Sequence, residues 1–168
     1  MMRATFLLAL VAMAACGSGD LSEAEKAARV EKLYAGYRGS FPKAPGFTVD
    51  ELLARLEEPG GLVLVDVRRE SERAVSMIPG AISRQEFEQR QQELSGRMVV
   101  SYCTIGYRSG EYTEELRQQG WDAYNLEGSI LAWTHAAQEL EKDGQVTRRL
   151  HVYAPRWDLA ADDYETVW

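Results

Sequence analysis

Two short apolar runs constrain the fold more than any other feature of this sequence. Residues 62–65 and 98–102 are too short for helices and consist almost wholly of apolar and β-favouring side chains. That pattern is typical of strands buried on both faces of a sheet. Helical patterns separate these runs from each other and from a third run over 123–126. Because strands that alternate with helices favour parallel pairing, the sequence predicts an α/β layered domain.

Sequence signals mark where the helices begin and end in the second half of the chain, where predicted strands and helices alternate. Ser83 opens a capping-box spacing, and the helix that follows is predicted to run to Gly96. Another helix is predicted over 109–119. Ser129 is expected to cap a later helix that carries Leu140 on its apolar face.

The N-terminal residues have the composition of an export signal. Arg3 supplies a positive charge, residues 6–12 form a short apolar stretch, and small residues precede Cys16. This order is typical of a secretory signal peptide, and its end resembles a bacterial lipobox. The resemblance implies a lipid anchor on Cys16 and export to the periplasmic side of the cell envelope, with Gly17 favouring the outer membrane. The alternative is an ordinary signal peptide in which Cys16 is incidental.

Four regions are predicted along the chain: a lipoprotein signal peptide (1–15), a segment with the lipidated cysteine, a spacer and an N-terminal helix with its linker (16–46), the compact domain (47–143) and a C-terminal extension (144–168). The N-terminal helix is predicted over 21–37, and a linker rich in Gly and Pro follows over 39–46. The sequence leaves open whether this segment packs on the domain. In the extension, residues 146–153 have the pattern of an added edge strand.

The charge balance and the residue spacings argue against several classes of partner. The formal net charge is −7, whereas nucleic acids and anionic lipid surfaces are bound by basic patches. No set of side chains has the spacing of metal ligands. His135 and His151 lie in segments that give no sign of pairing with a cysteine nucleophile. We therefore expect no metal, no cofactor and no nucleic acid partner.

The loop over 103–108 (Cys-Thr-Ile-Gly-Tyr-Arg) carries the strongest signal for chemistry. Cys103 follows one predicted strand and precedes a predicted helix, so its thiol is expected at the carboxyl end of a parallel strand, where ligand sites lie in such sheets. The amides at the start of the helix, the curl of a Gly-containing loop and the charge of Arg108 all favour an anion there. A reactive thiolate is therefore expected at Cys103.

An ordered set of motifs resembles the rhodanese domain, a sulfurtransferase module. The set comprises 64–68 (Leu-Val-Asp-Val-Arg), 78–81 (Ile-Pro-Gly-Ala), the loop with Ser109, Leu116 with 120–121 (Gly-Trp), and 126–128 (Leu-Glu-Gly) followed by Trp133. The resemblance covers roughly 47–143. It implies the fold of that family, a three-layer arrangement in which helices flank a small parallel five-stranded sheet.

The resemblance also implies roles for individual residues. Cys103 matches the position that accepts a sulfane sulfur and becomes a persulfide. The backbone amides of five residues match the cradle for the transferred sulfur and the anionic donor: Thr104, Ile105, Gly106, Tyr107 and Arg108. The guanidinium of Arg108 matches a group that can meet an anion such as thiosulfate. Its alternative role is an ion pair with Asp66, which would support the loop from the end of a neighbouring strand.

The chain departs from the family pattern at two pairs of residues. Ser76-Met77 stands where the family commonly has Gly-His, and Gly128-Ser129 stands where it often has Gly-Gly. The first change bears on local packing rather than on activity, because the family's histidine is mainly structural. Tyr107 is bulky for a residue of the loop, and it either limits which donors and acceptors reach the thiol or only covers the pocket.

The implied activity is sulfur transfer in two half-reactions, from a donor such as thiosulfate to a thiophilic acceptor such as cyanide or a thiol. One alternative is a non-catalytic rhodanese-like module for binding or regulation. Another is an enzyme like a phosphatase or arsenate reductase. It is disfavoured because four residues separate Cys103 from Arg108, one fewer than phosphatases place there. The sequence leaves open the physiological donor and acceptor, any protein partner and the oligomeric state.

Overall fold

A parallel sheet of five strands forms the centre of the fold in the computed structural model, which describes residues 21–58 and 60–168. The strands are β1 (Gly46–Phe47), β2 (Leu62–Asp66), β3 (Ile82–Ser83), β4 (Met98–Tyr102) and β5 (Ala123–Leu126). Their order across the sheet is β1-β5-β4-β2-β3, and every neighbouring pair is parallel. The predicted α/β fold is therefore confirmed. The predicted signal peptide and Cys16 lie outside the described residues.

Helices cover both faces of this sheet. They are α1 (Glu23–Tyr37), α2 (Val49–Leu56), α3 (Glu70–Arg73), α4 (Arg84–Gln89), α5 (Tyr107–Gln118) and α6 (Ser129–His135), with short 3₁₀ turns over Arg38–Ser40 and Pro155–Trp157. Successive strand residues point to opposite faces. Accordingly Leu64 belongs to the larger of two main buried clusters, whereas Val63 and Val65 belong to the smaller one. This alternation produces the three layers.

The N-terminal segment packs on the domain. Ser22 and Glu25 form a capping box that begins α1, and α1 buries Val30 and Tyr34. Phe41, in the predicted linker, is also buried, and it lies so close to Gly110 of α5 that a Cβ there would be 2.6 Å from its ring. The linker is therefore part of the packed structure. None of the helices within the described ranges is long and apolar enough to cross a membrane.

Two helix predictions were wrong at their ends. The Ser83 hydroxyl does accept the predicted hydrogen bond from the third residue of α4, but the helix ends at Gln89 and turns, not helix, lead to Gly96. The last helix ends at His135 because Ala137 takes a left-handed φ of 55°, and Leu140 lies in a strand instead. Ser129 does not cap this helix. Gly128, with a φ of 65°, holds the N-cap position.

The C-terminal extension, together with residues 140–142, forms two small sheets, and neither joins the central one. β6 (Leu140–Lys142) and β7 (Gln145–Thr147) are an antiparallel hairpin, and β8 (Arg149–His151) pairs in parallel with β9 (Glu165–Val167). The edge strand predicted over 146–153 was wrong, because positive φ angles at the hairpin turn send the chain back along β6. Six extension residues still complete the larger buried cluster: Leu150, Val152, Leu159, Ala160, Ala161 and Tyr164.

Candidate active site

The thiol of Cys103 lies where the sequence predicts it, at the carboxyl end of β4. The chain leaves the strand, turns through three residues, and enters α5 with Gly106 at the N-cap in a left-handed conformation (φ 104°). Only glycine adopts that angle without strain. As a result the amide of Gly106 donates to the Cys103 sulfur at 3.1 Å, and the side chain is buried, with 2% of its surface exposed.

The surroundings of the sulfur favour its anion. Burial is the largest single influence on Cys103 and raises the thiol pKa, because a buried charge loses its hydration. The positive charge of Arg108 acts in the opposite direction, and so do the polar groups of Ser109 and the amide of Gly106. Together these groups outweigh burial, so the pKa of Cys103 is lowered. The thiolate is therefore available closer to neutral pH than in an ordinary cysteine.

A chain of buried polar groups holds the loop from the sheet side. The amide of Cys103 donates to the hydroxyl of Ser129 at 3.1 Å. The hydroxyl of Ser109 donates to the Asn125 side-chain carbonyl at 2.6 Å, and the Asn125 amide group donates to the Gly106 carbonyl at 2.9 Å. Both ends of the loop are thus tied to β5 and α6, so the sulfur cannot move without breaking buried hydrogen bonds.

The predicted alternative partner for Arg108 was wrong. Arg108 binds Glu72 through two parallel hydrogen bonds of 2.8 Å, and it also donates to the Thr104 hydroxyl at 3.1 Å. Asp66 instead forms a fully buried ion pair with Arg68 at 2.6 Å. Arg68 satisfies Asp66 because it follows only two residues later. Asp66 therefore has no direct contact with Arg108 and does not hold the loop through it.

Glu72 is a site residue that sequence reasoning missed. It is 1% exposed and lies in the first turn of α3, where its carboxylate also accepts the Arg69 amide at 3.0 Å. Burial is the largest influence and raises its pKa, but hydrogen bonds from Arg108 and Arg69 outweigh it, so the pKa of Glu72 is lowered. The available sequence signal was a glutamate at the third helical position, which indicates capping and not a bond to a distant loop.

A cavity of about 240 Å³ opens in front of the thiol. The loop supplies part of its lining, and the rest comes from residues before and after the predicted domain: Tyr37, Cys103, Thr104, Ile105, Tyr107, Arg108, Tyr153, Arg156 and Trp157. Tyr107 stands edge-to-face with Tyr37, with ring centres 5.4 Å apart, and keeps 39% of its surface exposed. The residues outside the loop were not predicted, since no local pattern links Tyr37 or Trp157 to Cys103.

The family model described as "Rhodanese-like domain" matches residues 48–136, slightly more than half of the chain. The chain belongs to this rhodanese-like family. A relative named "Sulfurtransferase" from Allochromatium vinosum is 38% identical over 88 residues, which are 50% of this chain and 82% of that protein.

Solved structures agree with this membership. The rhodanese-like chain superposes on a thiosulfate sulfurtransferase from Pseudomonas aeruginosa with a TM-score of 0.55 and 26% identity, over 76% of this chain and 26% of that one. A rhodanese-related protein from Thermoplasma volcanium gives a TM-score of 0.50 at 21% identity, over 58% and 97% of the two chains. The second likeness concerns the fold alone.

The departures of this rhodanese-like chain from its family have structural explanations. The Ser76 hydroxyl donates to the Arg149 carbonyl of the C-terminal extension at 2.6 Å, and the backbone of Met77 pairs with Glu141 in β6. Ser129 has a φ of 53°, a region that glycine adopts more easily. Its hydroxyl compensates by accepting the hydrogen bond from Cys103.

The histidines of the rhodanese-like chain contact the extension. His135 Nε2 lies 2.8 Å from the Leu159 carbonyl oxygen, and His151 Nδ1 accepts the Tyr153 amide at 3.0 Å. Within 21–58 and 60–168, no group of three or more His, Cys, Asp or Glu side chains has the arrangement of a metal site.

Proposed function

We propose that this protein is a sulfurtransferase that moves a sulfane sulfur from an anionic donor such as thiosulfate to a thiophilic acceptor through a persulfide on Cys103. One observation carries the proposal. The Cys103 sulfur accepts an amide hydrogen bond at the start of α5, with Arg108 nearby, so a buried thiol has a lowered pKa. Membership of the rhodanese-like family supports the same activity.

In the first half-reaction the Cys103 thiolate attacks the outer sulfur of thiosulfate. A sulfur–sulfur bond forms to Cys103 while the donor's own sulfur–sulfur bond breaks, and sulfite leaves with that electron pair. The persulfide keeps one negative charge. We assign its stabilisation to the amides of Thr104, Ile105, Gly106, Tyr107 and Arg108, because donors aimed at a developing anion lower the barrier most when water is excluded.

In the second half-reaction an acceptor such as cyanide or a thiolate attacks the outer sulfur, and the Cys103 thiolate leaves. The lowered pKa of Cys103 helps this step as well, since a weaker base is a better leaving group. Cys103 is the free cysteine of the described residues. The acceptor is therefore proposed to be a separate molecule and not a resolving cysteine of this chain.

We assign Arg108 to positioning the loop and supplying charge. Both of its terminal nitrogens are bound to Glu72 in the structure. Its positive charge still acts on the sulfur through space, because electrostatic effects are weakly screened at a buried site. We assign Asp66 a structural role, because it forms a buried ion pair with Arg68.

The test is a comparison of wild-type protein with Cys103→Ser. Wild type is expected to convert thiosulfate and cyanide to thiocyanate, and its Cys103 peptide to become one sulfur atom heavier with thiosulfate and to lose that mass with cyanide. Cys103→Ser is expected to do neither while keeping its circular dichroism spectrum. A binding module predicts no loaded peptide. Equal turnover by the two proteins would remove Cys103 from the mechanism.

We also propose that the mature protein is lipid-anchored through Cys16 on the periplasmic side of the cell envelope. The order of charge, apolar stretch and small residues before Cys16 supports this. In a bacterial host, full-length wild type is expected in the membrane fraction and Cys16→Ser outside it. Equal partition of the two proteins would favour an ordinary signal peptide.

A further inference from the structure

The first turn of α5 begins and ends with a glycine, Gly106 at the N-cap and Gly110 four residues later. Residues with this spacing lie on the same face of a helix. The Gly110 amide donates to the Gly106 carbonyl at 3.1 Å, and this bond closes the turn. Because the Gly106 amide donates to the Cys103 sulfur, the same turn carries a hydrogen bond to the nucleophile.

An aromatic ring from the N-terminal segment covers each of these glycines. A Cβ at Gly106 would lie 2.6 Å from the Tyr34 ring, and a Cβ at Gly110 would lie 2.6 Å from the Phe41 ring. The two rings therefore occupy the space that side chains would take at these positions. Tyr34 is 4% exposed, Phe41 is 1% exposed, and both belong to one buried cluster. We call these two side chains the ring pair.

The backbone freedom of glycine explains why this turn depends on its neighbours. Glycine accepts a wider range of backbone angles than any other residue, so Gly106 does not by itself fix the direction of its amide. Asn125 holds the Gly106 carbonyl with a hydrogen bond of 2.9 Å. The same Asn125 amide group lies 3.5 Å from the Tyr34 hydroxyl. Tyr34 thus contacts both Gly106 and the residue that holds its carbonyl.

The ring pair comes from a part of the chain that the family model does not cover. Tyr34 lies in α1 and Phe41 follows it, whereas the match begins at residue 48. The other buried residue of α1 is Val30, which lies 2.9 Å from the position of a Cβ at Gly128, the N-cap of α6. The buried face of α1 is therefore docked at two places, on α6 through Val30 and on the start of α5 through Tyr34.

We propose that Tyr34 and Phe41 are positioning residues for the proposed sulfur transfer, on which this inference rests. Their rings hold the first turn of α5 so that the Gly106 amide stays directed at the Cys103 sulfur. A hydrogen bond weakens steeply when its donor turns away from the acceptor. Loss of a ring should therefore raise the pKa of the thiol and slow its attack on a donor.

The phenol of Tyr34 does not titrate in the range where a cysteine does. Burial is the largest influence and raises the pKa of Tyr34 to about 12, and Glu127 adds to this effect while Arg38 opposes it. The charge that acts on the thiol comes from Arg108, which is bound to Glu72. All of these charged groups are kept in the variants below, so a changed pH profile reports the position of the loop.

The test compares wild type with Tyr34→Ala and Tyr34→Phe. One readout is the pH dependence of iodoacetamide alkylation, followed on the Cys103 peptide, and the other is kcat/KM for thiosulfate with cyanide as the acceptor. In Tyr34→Ala the alkylation midpoint is expected to rise, and kcat/KM to fall about tenfold, since even a small misplacement of a reacting group is costly. Tyr34→Phe keeps the ring and is expected to restore both wild-type values.

The matched control is Val30→Ala, which truncates the other buried residue of the same helix. It also leaves a cavity under α1 and should lower stability, but the alkylation midpoint and kcat/KM are expected to stay at the wild-type values. Phe41→Leu replaces the second ring, and its midpoint is expected to rise less than that of Tyr34→Ala, because Gly110 is one turn further from the sulfur. It also serves as the second variant should Tyr34→Ala not fold.

Alkylation needs no sulfur donor, so failure of this inference can be told apart from failure of the proposed function. If wild type places no sulfur on Cys103, the proposed function fails and the inference fails with it. If wild type transfers sulfur but the folded ring variants, Tyr34→Ala and Phe41→Leu, alkylate at the wild-type midpoint, only the inference is overturned. A rise in Val30→Ala or Tyr34→Phe as large as that in Tyr34→Ala would also overturn it, because the effect would then not come from the rings.

Discussion

The two sides of Cys103 differ in almost every physical respect. Behind the sulfur, Ser109, Ser129 and Asn125 are fully buried, and their polar groups are hydrogen-bonded to one another or to the loop. In front of it, the aromatic side chains that line the cavity are partly exposed and make mainly ring contacts, for example between Tyr37 and Tyr107. The polar groups of the buried side act with Arg108 to lower the pKa of the thiol. The rings on the exposed side form the surface that a molecule meets on its way to the sulfur.

The difference has an energetic basis. A buried polar group that loses its partner costs more than the hydrogen bond itself contributed, because it cannot recover the bond from water. A partly exposed aromatic side chain buries only part of its surface, so truncating it costs less free energy than truncating a fully buried one. Substitutions on the buried side should therefore change the stability of the protein and the pKa of the thiol, and so affect all donors alike. Substitutions of the rings that line the cavity should instead change how well different donors fit.

The largest expected effect on the buried side comes from Glu72→Gln. It leaves the Arg108 charge without its carboxylate, and we expect a loss of about 2 kcal/mol in the free energy of unfolding. The figure is set below that for a fully buried pair because the Arg108 side chain is 31% exposed. The measurement is urea denaturation. Glu88→Gln, which breaks the exposed pair with Arg84, is the control and should cost less than about 0.5 kcal/mol. Equal losses of stability in the two variants would contradict the expected difference between the buried and the exposed ion pair.

A somewhat smaller effect is expected on the thiol pKa in Arg108→Gln. The positive charge of Arg108 favours the thiolate, so its removal should raise the Cys103 pKa. The pH dependence of iodoacetamide alkylation measures this directly. The wild-type midpoint should lie below the value of about 8.5 for an ordinary cysteine.

The control for that experiment is Arg148→Gln. Arg148 pairs with Asp163 at the surface and does not line the cavity. Its variant should alkylate with the wild-type midpoint. A midpoint that is unchanged or lower in Arg108→Gln would mean that the hydrogen bonds of the loop, and not this charge, set the pKa.

The smallest expected effect distinguishes Ser129→Ala from Ser129→Gly. Both variants lose the hydroxyl that accepts the Cys103 amide. Alanine also keeps a side chain at a φ of 53°, whereas glycine adopts that angle without strain. Ser129→Ala should therefore be less stable than Ser129→Gly by about 1 kcal/mol in thermal or urea unfolding. The opposite order would show that the backbone strain at this position is negligible.

The parts of the fold with a strong local pattern were predictable from the sequence. The strands around Leu64 and Val100 consist of continuous apolar runs, and the loop with Cys103 lies between clear strand and helix patterns. β1 was missed because two residues cannot display a period. Leu140, the first residue of β6, is predicted in a helix because it continues the helical spacing of Ile130 and Trp133, and tertiary packing overrides that preference.

The candidate site was predictable only where its residues are close in sequence. The loop from Cys103 to Arg108 is one continuous segment, so the position of the thiol between a strand and a helix could be predicted from sequence order. Glu72 and Trp157 reach the loop from distant segments, and their roles depend on how helices and extension are placed on the sheet. Asp66 is an alternative partner for Arg108 in the sequence because it ends a neighbouring strand, but Arg68, two residues away, pairs with the same carboxylate.

The origin of Tyr37, Tyr153 and Trp157 in segments outside the matched domain bears on how such proteins diverge. Residues in these segments can be exchanged while Cys103 and its loop stay the same. Natural selection can then reshape the cavity without risking the nucleophile. Two proteins with identical loops can thus have different cavities, and inheritance of the loop alone is a poor guide to the space in front of it.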